Sequence, residues 1–296
     1  MKYAYYPGCS ALRSAVELDA ATRRAFERLG IEWITLDDAA CCGSRECGGL
    51  GVEDEDLQLA INARTLAMAE QADVQTMVNV CSTCQLALSE DNERLKRDDV
   101  LRARINRALD KVGLVYEGNI IVKHLLYVII DDIGLERIGE LVTSPLTELR
   151  VAPFYGCHLL RPGNVHGYRD DPYDPRSLGE LIQVLGATEV RYSGANKCCG
   201  FHALMVRNKP ALRMSGQHIK EAQDEGADVM VTPCPLCHTM LDAYQPRAAR
   251  ELGTRLNLPI LHLPQMIGLA IGLSPDELMM ERHLVPTSHI GVRARA

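Results

Sequence analysis

Ten of the eleven cysteines in this 296-residue chain fall into two sets with the same internal order. Cys9 is followed, after a long gap, by Cys41-Cys42-Gly43 and, after a second long gap, by Cys81-Ser82-Thr83-Cys84. Cys157, Cys198-Cys199-Gly200 and Cys234-Pro235-Leu236-Cys237 repeat that order, and only Cys47 stands outside it. The residues around the first cysteine of each set repeat as well: KYAYYPGCSALR, residues 2–13, overlays RVAPFYGCHLLR, residues 150–161, without a gap. A chain with internal repetition at this scale is one structural unit used twice.

The unit can be read from its first copy. Residues 2–6 have strand character and end at Pro7-Gly8, a turn that delivers Cys9. Residues 16–29 carry apolar positions at helical spacing and stop at Gly30, as residues 178–185 do at Gly186. Strands over 31–36 and 188–192 lead into the two Cys-Cys-Gly corners, with helices over 57–72 and 211–225 behind them. Strands over 74–80 and 229–232 then end on the two CxxC pairs, and residues 120–122 and 259–261 lead to His124 and His262. Strand and helix thus alternate four times in each half, which predicts an α/β fold of two tandem repeats related by a pseudo-two-fold, each a parallel sheet with helices on its faces. Ligand sites of such sheets lie beyond the carboxyl ends of the strands, so five cysteines scattered along the sequence are expected to meet there.

We place the boundary near Ser144-Pro145, giving domains of residues 1–144 and 145–296, the second with a C-terminal tail over 282–296. Residues 162–176 form an inserted loop, and Gly48-Gly49-Leu50-Gly51 a simple one. Ser274-Pro275-Asp276-Glu277 has the form of a capping box, so the last helix is expected to start there.

Composition removes several function classes. A net charge of −7 with basic and acidic residues interspersed gives no footprint for nucleic acid. The most apolar run, residues 120–130, is interrupted by Lys123 and His124 and falls short of the roughly 20 residues that span a bilayer, so no membrane span is expected. No basic segment followed by a long apolar stretch opens the chain, which gives the expectation of a cytoplasmic protein. Cytosolic thiols stay reduced, and the cysteines are therefore read as metal ligands or redox groups rather than as a disulfide framework.

Three chemistries compete for them. Structural zinc takes four ligands, usually from two CxxC-like pairs, whereas each half here offers one CxxC, an adjacent pair and a single upstream cysteine. A thioredoxin-like dithiol would use either CxxC but leaves the matched Cys-Cys-Gly unexplained. Adjacent cysteines point in different directions and suit a multi-iron cluster, although the compact C-x₂-C-x₂-C-x₃-C-P run of ordinary ferredoxins is missing.

On these motifs the chain resembles the CCG-domain proteins, and among them the B subunit of heterodisulfide reductase, over roughly residues 1–270. The resemblance implies two noncubane [4Fe-4S] clusters, one held by Cys9, Cys41, Cys42, Cys81 and Cys84, the other by Cys157, Cys198, Cys199, Cys234 and Cys237. It implies an iron–sulfur catalytic subunit that cleaves or forms a disulfide, working with a ferredoxin-like C subunit and an FAD-containing A subunit. Its substrate would be a heterodisulfide, or a lipoate or persulfide carrier in a sulfur-oxidising branch. Related proteins point to an alternative, a non-catalytic electron-transfer subunit of a flavoprotein dehydrogenase or quinone-linked fumarate reductase. Cys47 lies outside the family pattern and is read as a buried free thiol.

Disulfide reduction at neutral pH consumes two electrons and up to two protons. Histidine is the side chain suited to supply the protons. His158 directly follows Cys157, His202 lies three residues after Cys199 and His238 directly follows Cys237, with His166 on the inserted loop, whereas the first half carries only His124. These positions predict that the second set meets the substrate, with His158, His202 and His238 as proton donors. Lys197 and Arg207, which flank the second Cys-Cys-Gly, are read as holding an anionic substrate group, Lys197 foremost. His124 and His262 occupy equivalent positions and are read as structural.

Overall fold

The computed structural model describes residues 1–44, 54–163 and 170–293. Cys47, His166 and the glycine run at 48–51 lie outside the described residues.

Two four-stranded parallel sheets, ordered β2-β1-β3-β4 and β6-β5-β7-β8, carry the fold. β1 (Lys2–Tyr6), β2 (Glu32–Thr35), β3 (Thr76–Asn79) and β4 (Ile121–His124) form the first. β5 (Arg150–Pro153), β6 (Thr188–Glu189), β7 (Val229–Thr232) and β8 (Ile260–His262) form the second. The central strands are buried on both faces, as helix-covered parallel strands require: past its first residue β1 is wholly buried, and β7 is buried throughout.

The strand order decides where a site can form. β2 lies on one side of β1 and β3 on the other, so the order reverses between β1 and β3, and the chain leaves a crevice at their carboxyl ends. Cys9 follows β1 and Cys81 follows β3, while the Cys-Cys-Gly corner comes after β2. β5, β7 and β6 place Cys157, Cys234 and Cys198-Cys199 in the same relation.

The helices fix the layers. Val16–Leu29 turns Leu18, Ala21, Ala25 and Phe26 inward, carries Glu17 and Asp19 in its first turn and ends at Gly30 in the left-handed region. One apolar core joins this helix, residues 125–130, Leu178–Leu185 and Leu263–Ile271 across both halves. A second core, on the other side of the sheets, also spans both halves and contains Cys42, Cys81, Cys84, Cys199, Cys234 and Cys237. The repeats are thus packed into each other through two shared cores. Among the described residues no helix is long and apolar enough to cross a membrane.

Near the C-terminus the expectation of a helix starting at Ser274 is corrected. The capping contacts do form: Ser274 N–H donates to Glu277 Oε2 at 2.8 Å, and Glu277 N–H donates to Ser274 Oγ at 3.2 Å. The chain then makes turns to Met279, whose φ of 51° is left-handed, and a 3₁₀ turn over Met280–Arg282. Leu278 is fully buried, and Arg282 Nε reaches Glu17 Oε2 at 3.1 Å, which draws the segment back across the first repeat instead of onward as a helix.

Candidate functional site

The two cysteine sets are assembled by the same devices. Gly8 and Gly156 precede the first cysteine of each set at φ +75° and +73°, where a Cβ would stand 3.3 Å from Cys84 Sγ and 3.0 Å from Cys237 Sγ. Only glycine lets the strand end approach the CxxC thiol so closely. Cys81 and Cys234 are the N-cap residues of Ser82–Arg97 and Pro235–Leu241, so Cys84 and Cys237 fall in the first helical turn. A spacing of three residues there brings both sulfurs of a CxxC to one side, at the positive end of the helix.

The sulfurs are in mutual contact. Cys9 Sγ lies 3.4 Å from Cys41 Sγ, and Cys42 Sγ lies 3.4 Å from Cys84 Sγ. In the second set Cys157 and Cys198, Cys199 and Cys237, and Cys234 and Cys237 are near enough to perturb one another's thiols. One interaction crosses between the halves: the Cys81 and Cys234 thiols are near enough to perturb each other, Cys81 upward and Cys234, together with Cys237, downward.

Crowding polarises the thiols identically in both sets. Hydrogen bonds from Cys42 and Cys9 hold Cys41 down at about 2, and those from Cys157 and Cys199 hold Cys198 down at about 2. Their partners are pushed the other way: the bond to Cys41 drives Cys9 up and takes Cys42 to about 12, and the bond to Cys198 drives Cys157 up. Thiolates this close repel one another unless cations stand among them.

The residues present fit an iron–sulfur group. Five soft donors per set exceed the four that tetrahedral zinc accepts and match thiolate ligation of iron clusters. Among the described residues, the buried Tyr192 hydroxyl and Ser82 Oγ have no hydrogen-bond partner. Tyr192 feels the charge of Cys237 and Ser82 adjoins Cys81, so sulfur acceptors of a cluster would satisfy both.

The two sets differ in exposure. Cys9 and Cys41 are exposed, beside a cavity of about 130 Å³ lined by Tyr6, Leu12 and Leu36 among others, whereas Cys157 and Cys198 are half-buried.

The structure brings two of the three expected histidines together. Thr83 Oγ1, inside the first CxxC, lies 3.2 Å from His158 Nδ1 and 3.4 Å from His202 Nε2, and the two rings stand 4.6 Å apart. They face the boundary between the sets rather than the second set alone. His238 is not with them. One step along a helix turns a side chain by about 100°, and the step from Cys237 sends His238 to the opposite side. There its Nε2 lies 3.1 Å from Ile260 O and 3.0 Å from His283 Nδ1, and its ring stacks on His262 at 3.8 Å. Lys197 is exposed on the turn before Cys198, with its N–H donating to Gly194 O. Arg207 is the exposed N-cap of Asn208–Asp224.

Two further residues belong to the site. Thr83 ties the first CxxC to the histidines of the other half, and its signal in the sequence is the polar Ser-Thr between Cys81 and Cys84 where the second pair has Pro-Leu. His218 Nε2 lies 3.0 Å from Cys198 O, against Phe154, and supports the second Cys-Cys-Gly from beneath. Nothing in the sequence around His218 marks it.

The histidines on the far side have a consequence for stability. Burial and the neighbouring His262 push His283 down to about 3, and burial pushes His238 well down. Burial alone would raise Glu17, but hydrogen bonds and charge from His262, with the Arg282 guanidinium, hold it at about 2. Unfolding lets His283 take a proton that the fold refuses, so its contribution is complete above about pH 6.5 and fades as pH falls toward 3; Glu17 loses its own below about 4.5. The unfolding free energy from urea melts is expected to drop steadily from pH 7 to pH 5, by on the order of 1–2 kcal/mol. His283→Gln should flatten that slope, and an unchanged slope would contradict the assignment.

The cysteine-rich domain family CCG matches residues 3–89 and 151–242, one match for each sheet. The chain is 33% identical to the 8-methylmenaquinol:fumarate reductase membrane anchor subunit of Wolinella succinogenes, over 98% of this chain and 99% of that one. It is 31% identical to the B subunit of the ferredoxin:CoB-CoM heterodisulfide reductase of Methanosarcina mazei, over 96% of this chain and 94% of that one. A crystal structure of a hypothetical protein from Helicobacter pylori shares the fold, with a TM-score of 0.75 at 18% identity, covering 96% of this chain and 52% of its own.

Proposed function

Because the chain belongs to the cysteine-rich CCG-domain family and is similar along its length to the B subunit of a heterodisulfide reductase, we propose that it is the iron–sulfur catalytic subunit of a heterodisulfide-reductase-like complex. The observation that carries this reading is the junction of the two sets, where Thr83 of the first CxxC meets His158 and His202 of the second repeat. Two relay centres need only lie within electron-transfer reach. Proton-bearing groups gathered at their junction are what bond cleavage asks for.

Cys9, Cys41, Cys42, Cys81 and Cys84 would hold one noncubane [4Fe-4S] cluster and Cys157, Cys198, Cys199, Cys234 and Cys237 the other. When bound, the clusters would supply electrons and soft iron acceptors for a substrate sulfur. The protein's own groups do the rest. The S–S bond breaks on taking up two electrons, and each departing thiolate takes one proton, ending as two thiols. His158 and His202 hold those protons, oriented by the Thr83 hydroxyl. Lys197, exposed at the rim, attracts an anionic carrier such as a carboxylated or phosphorylated thiol. His238 takes no part in this step, since its ring is engaged with His262 and His283. Electrons would come through a ferredoxin-like C subunit and an FAD-containing A subunit, in a cytoplasmic assembly.

The kinship with a fumarate reductase subunit favours a second reading, in which both clusters only pass electrons between a flavoprotein and a quinone or thiol pool. Thiol titration of the oxidised, iron-loaded protein separates the two. Exposure to the right substrate thiol is expected to change the electron paramagnetic resonance signal, because a substrate sulfur joins the site. A signal unmoved by heterodisulfide-derived, lipoate-type and persulfide thiols would leave the electron-transfer reading.

A further inference from the structure

Away from the cysteines, three imidazoles and two carboxylates from separate segments are buried together: Glu17 from the first repeat, His238 and Asp242 from the helix after β7, His262 from the end of β8, and His283 from the tail. Two ligand sets can be drawn from them, and both use His238. Geometry decides between them. An ion must lie near the plane of each ring that binds it, and the His238 and His262 rings are stacked 3.8 Å apart at an interplanar angle of 21°. One ion cannot lie in both planes. Glu17 is also engaged already, with His262 Nε2 at 3.3 Å and Arg282 Nε at 3.1 Å.

The other set avoids the stacked pair; its own engagements are His238 Nε2 with Ile260 O at 3.1 Å and the Asp242 carboxylate with two backbone N–H groups. His238 Nε2 and His283 Nδ1 face each other at 3.0 Å, and their rings cross at 72°. Two imidazole nitrogens sharing an ion at about 2.0–2.1 Å stand roughly 2.9–3.4 Å apart for angles between about 90° and 110°. Asp242 offers a carboxylate oxygen within 4.8 Å of a ring nitrogen of each histidine. Its carboxylate is fixed in orientation by the N–H groups of Leu284, at 2.8 Å, and Val285, at 2.9 Å, as outer contacts fix a metal ligand. His283 is 8% exposed, and its Nε2 is without a hydrogen-bond partner among the described residues, so one of its two ring nitrogens is buried unsatisfied. His283 also lines a cavity of about 430 Å³, with Met280, Glu281 and Thr287, which gives an ion and a completing water a way in.

We propose that His238, Asp242 and His283 bind a divalent transition-metal ion of the zinc class, at a site separate from the ten cysteines, and that this ion fastens the C-terminal tail to the second repeat. Two neutral imidazoles and a carboxylate form a borderline donor set suited to zinc, whereas the cysteine sets select iron–sulfur chemistry. The tail is the natural beneficiary, since His283, Leu284 and Val285 all make their contacts here.

The experiment is a zinc titration of the full, iron-loaded chain, with metal analysis and zinc K-edge absorption. One zinc per chain is expected, with a first shell of nitrogen and oxygen at about 2.0–2.1 Å and no sulfur at about 2.3 Å. His283→Ala and Asp242→Asn are each expected to weaken zinc binding by about a hundredfold or more with iron and sulfide unchanged. A sulfur shell, a zinc content below about a tenth per chain at micromolar free zinc, or full retention of zinc in a folded His283→Ala chain overturns the proposal. The shell measured on the unsubstituted chain decides the matter even where a variant fails to fold, and none of these readouts depends on disulfide chemistry.

Discussion

Cys234→Ser is expected to remove one iron–sulfur centre and to disturb the other. Cys234 is 2% exposed, caps the helix that carries Cys237 and belongs to the second set, so its loss withdraws a soft ligand and leaves a hydroxyl that iron binds poorly. Iron and acid-labile sulfide should fall from about eight to about four of each per chain. The second effect separates this cysteine from its neighbours. Cys234 also perturbs the Cys81 thiol of the first set, and potentials of iron–sulfur centres respond to the groups and charge around their sulfurs. The remaining centre should therefore shift its potential by on the order of tens of millivolts. Cys157→Ser provides the comparison: it withdraws a second-set ligand whose thiol is perturbed most by Cys198, within its own set, and should leave the first centre where it was. Equal potentials for the surviving centre in the two variants would mean that the junction transmits nothing.

Much of this arrangement is legible in the amino-acid sequence. The ungapped overlay of residues 2–13 on 150–161 locates both first strands, and the punctuation at Gly30 and Gly186 locates the ends of the helices after them. Parallel sheets follow from that alternation, and strand-end cysteines then converge for topological reasons. What stays hidden depends on how the two repeats pack. A repeat read on its own predicts its own site, yet both apolar cores run through both halves, and that interpenetration sets Thr83 against His158 and His202. His238 shows the limit of adjacency along a chain, since a residue next to a ligand on a helix points elsewhere and its partners lie at 260, 262 and 283. At Ser274 the local signal is honoured in its hydrogen bonds but overruled in its outcome by burial of Leu278 and the pull of Arg282 on Glu17.

Thr83→Val tests whether that interpenetration has chemical use. The side chain is nearly the same size, so the helix after Cys81 and the apolar contacts should survive, and iron and sulfide content are expected to stay at the unsubstituted level. What is lost is one hydroxyl that reaches two imidazoles, at 3.2 Å and 3.4 Å. If His158 and His202 supply protons to departing thiolates, removing the group that orients both should lower disulfide turnover by about 10- to 100-fold, less than the full contribution of general acid catalysis because the rings themselves remain. Thr83→Ser restores the hydroxyl and should recover most of the rate. A purely structural role predicts the reverse pattern: Val, which keeps the branched shape, would be tolerated, and Ser, which loses a methyl from a buried position, would be the worse of the two. Comparing the two substitutions on iron content and turnover therefore decides whether the first repeat contributes only ligands to the junction or also positions the proton donors of the second.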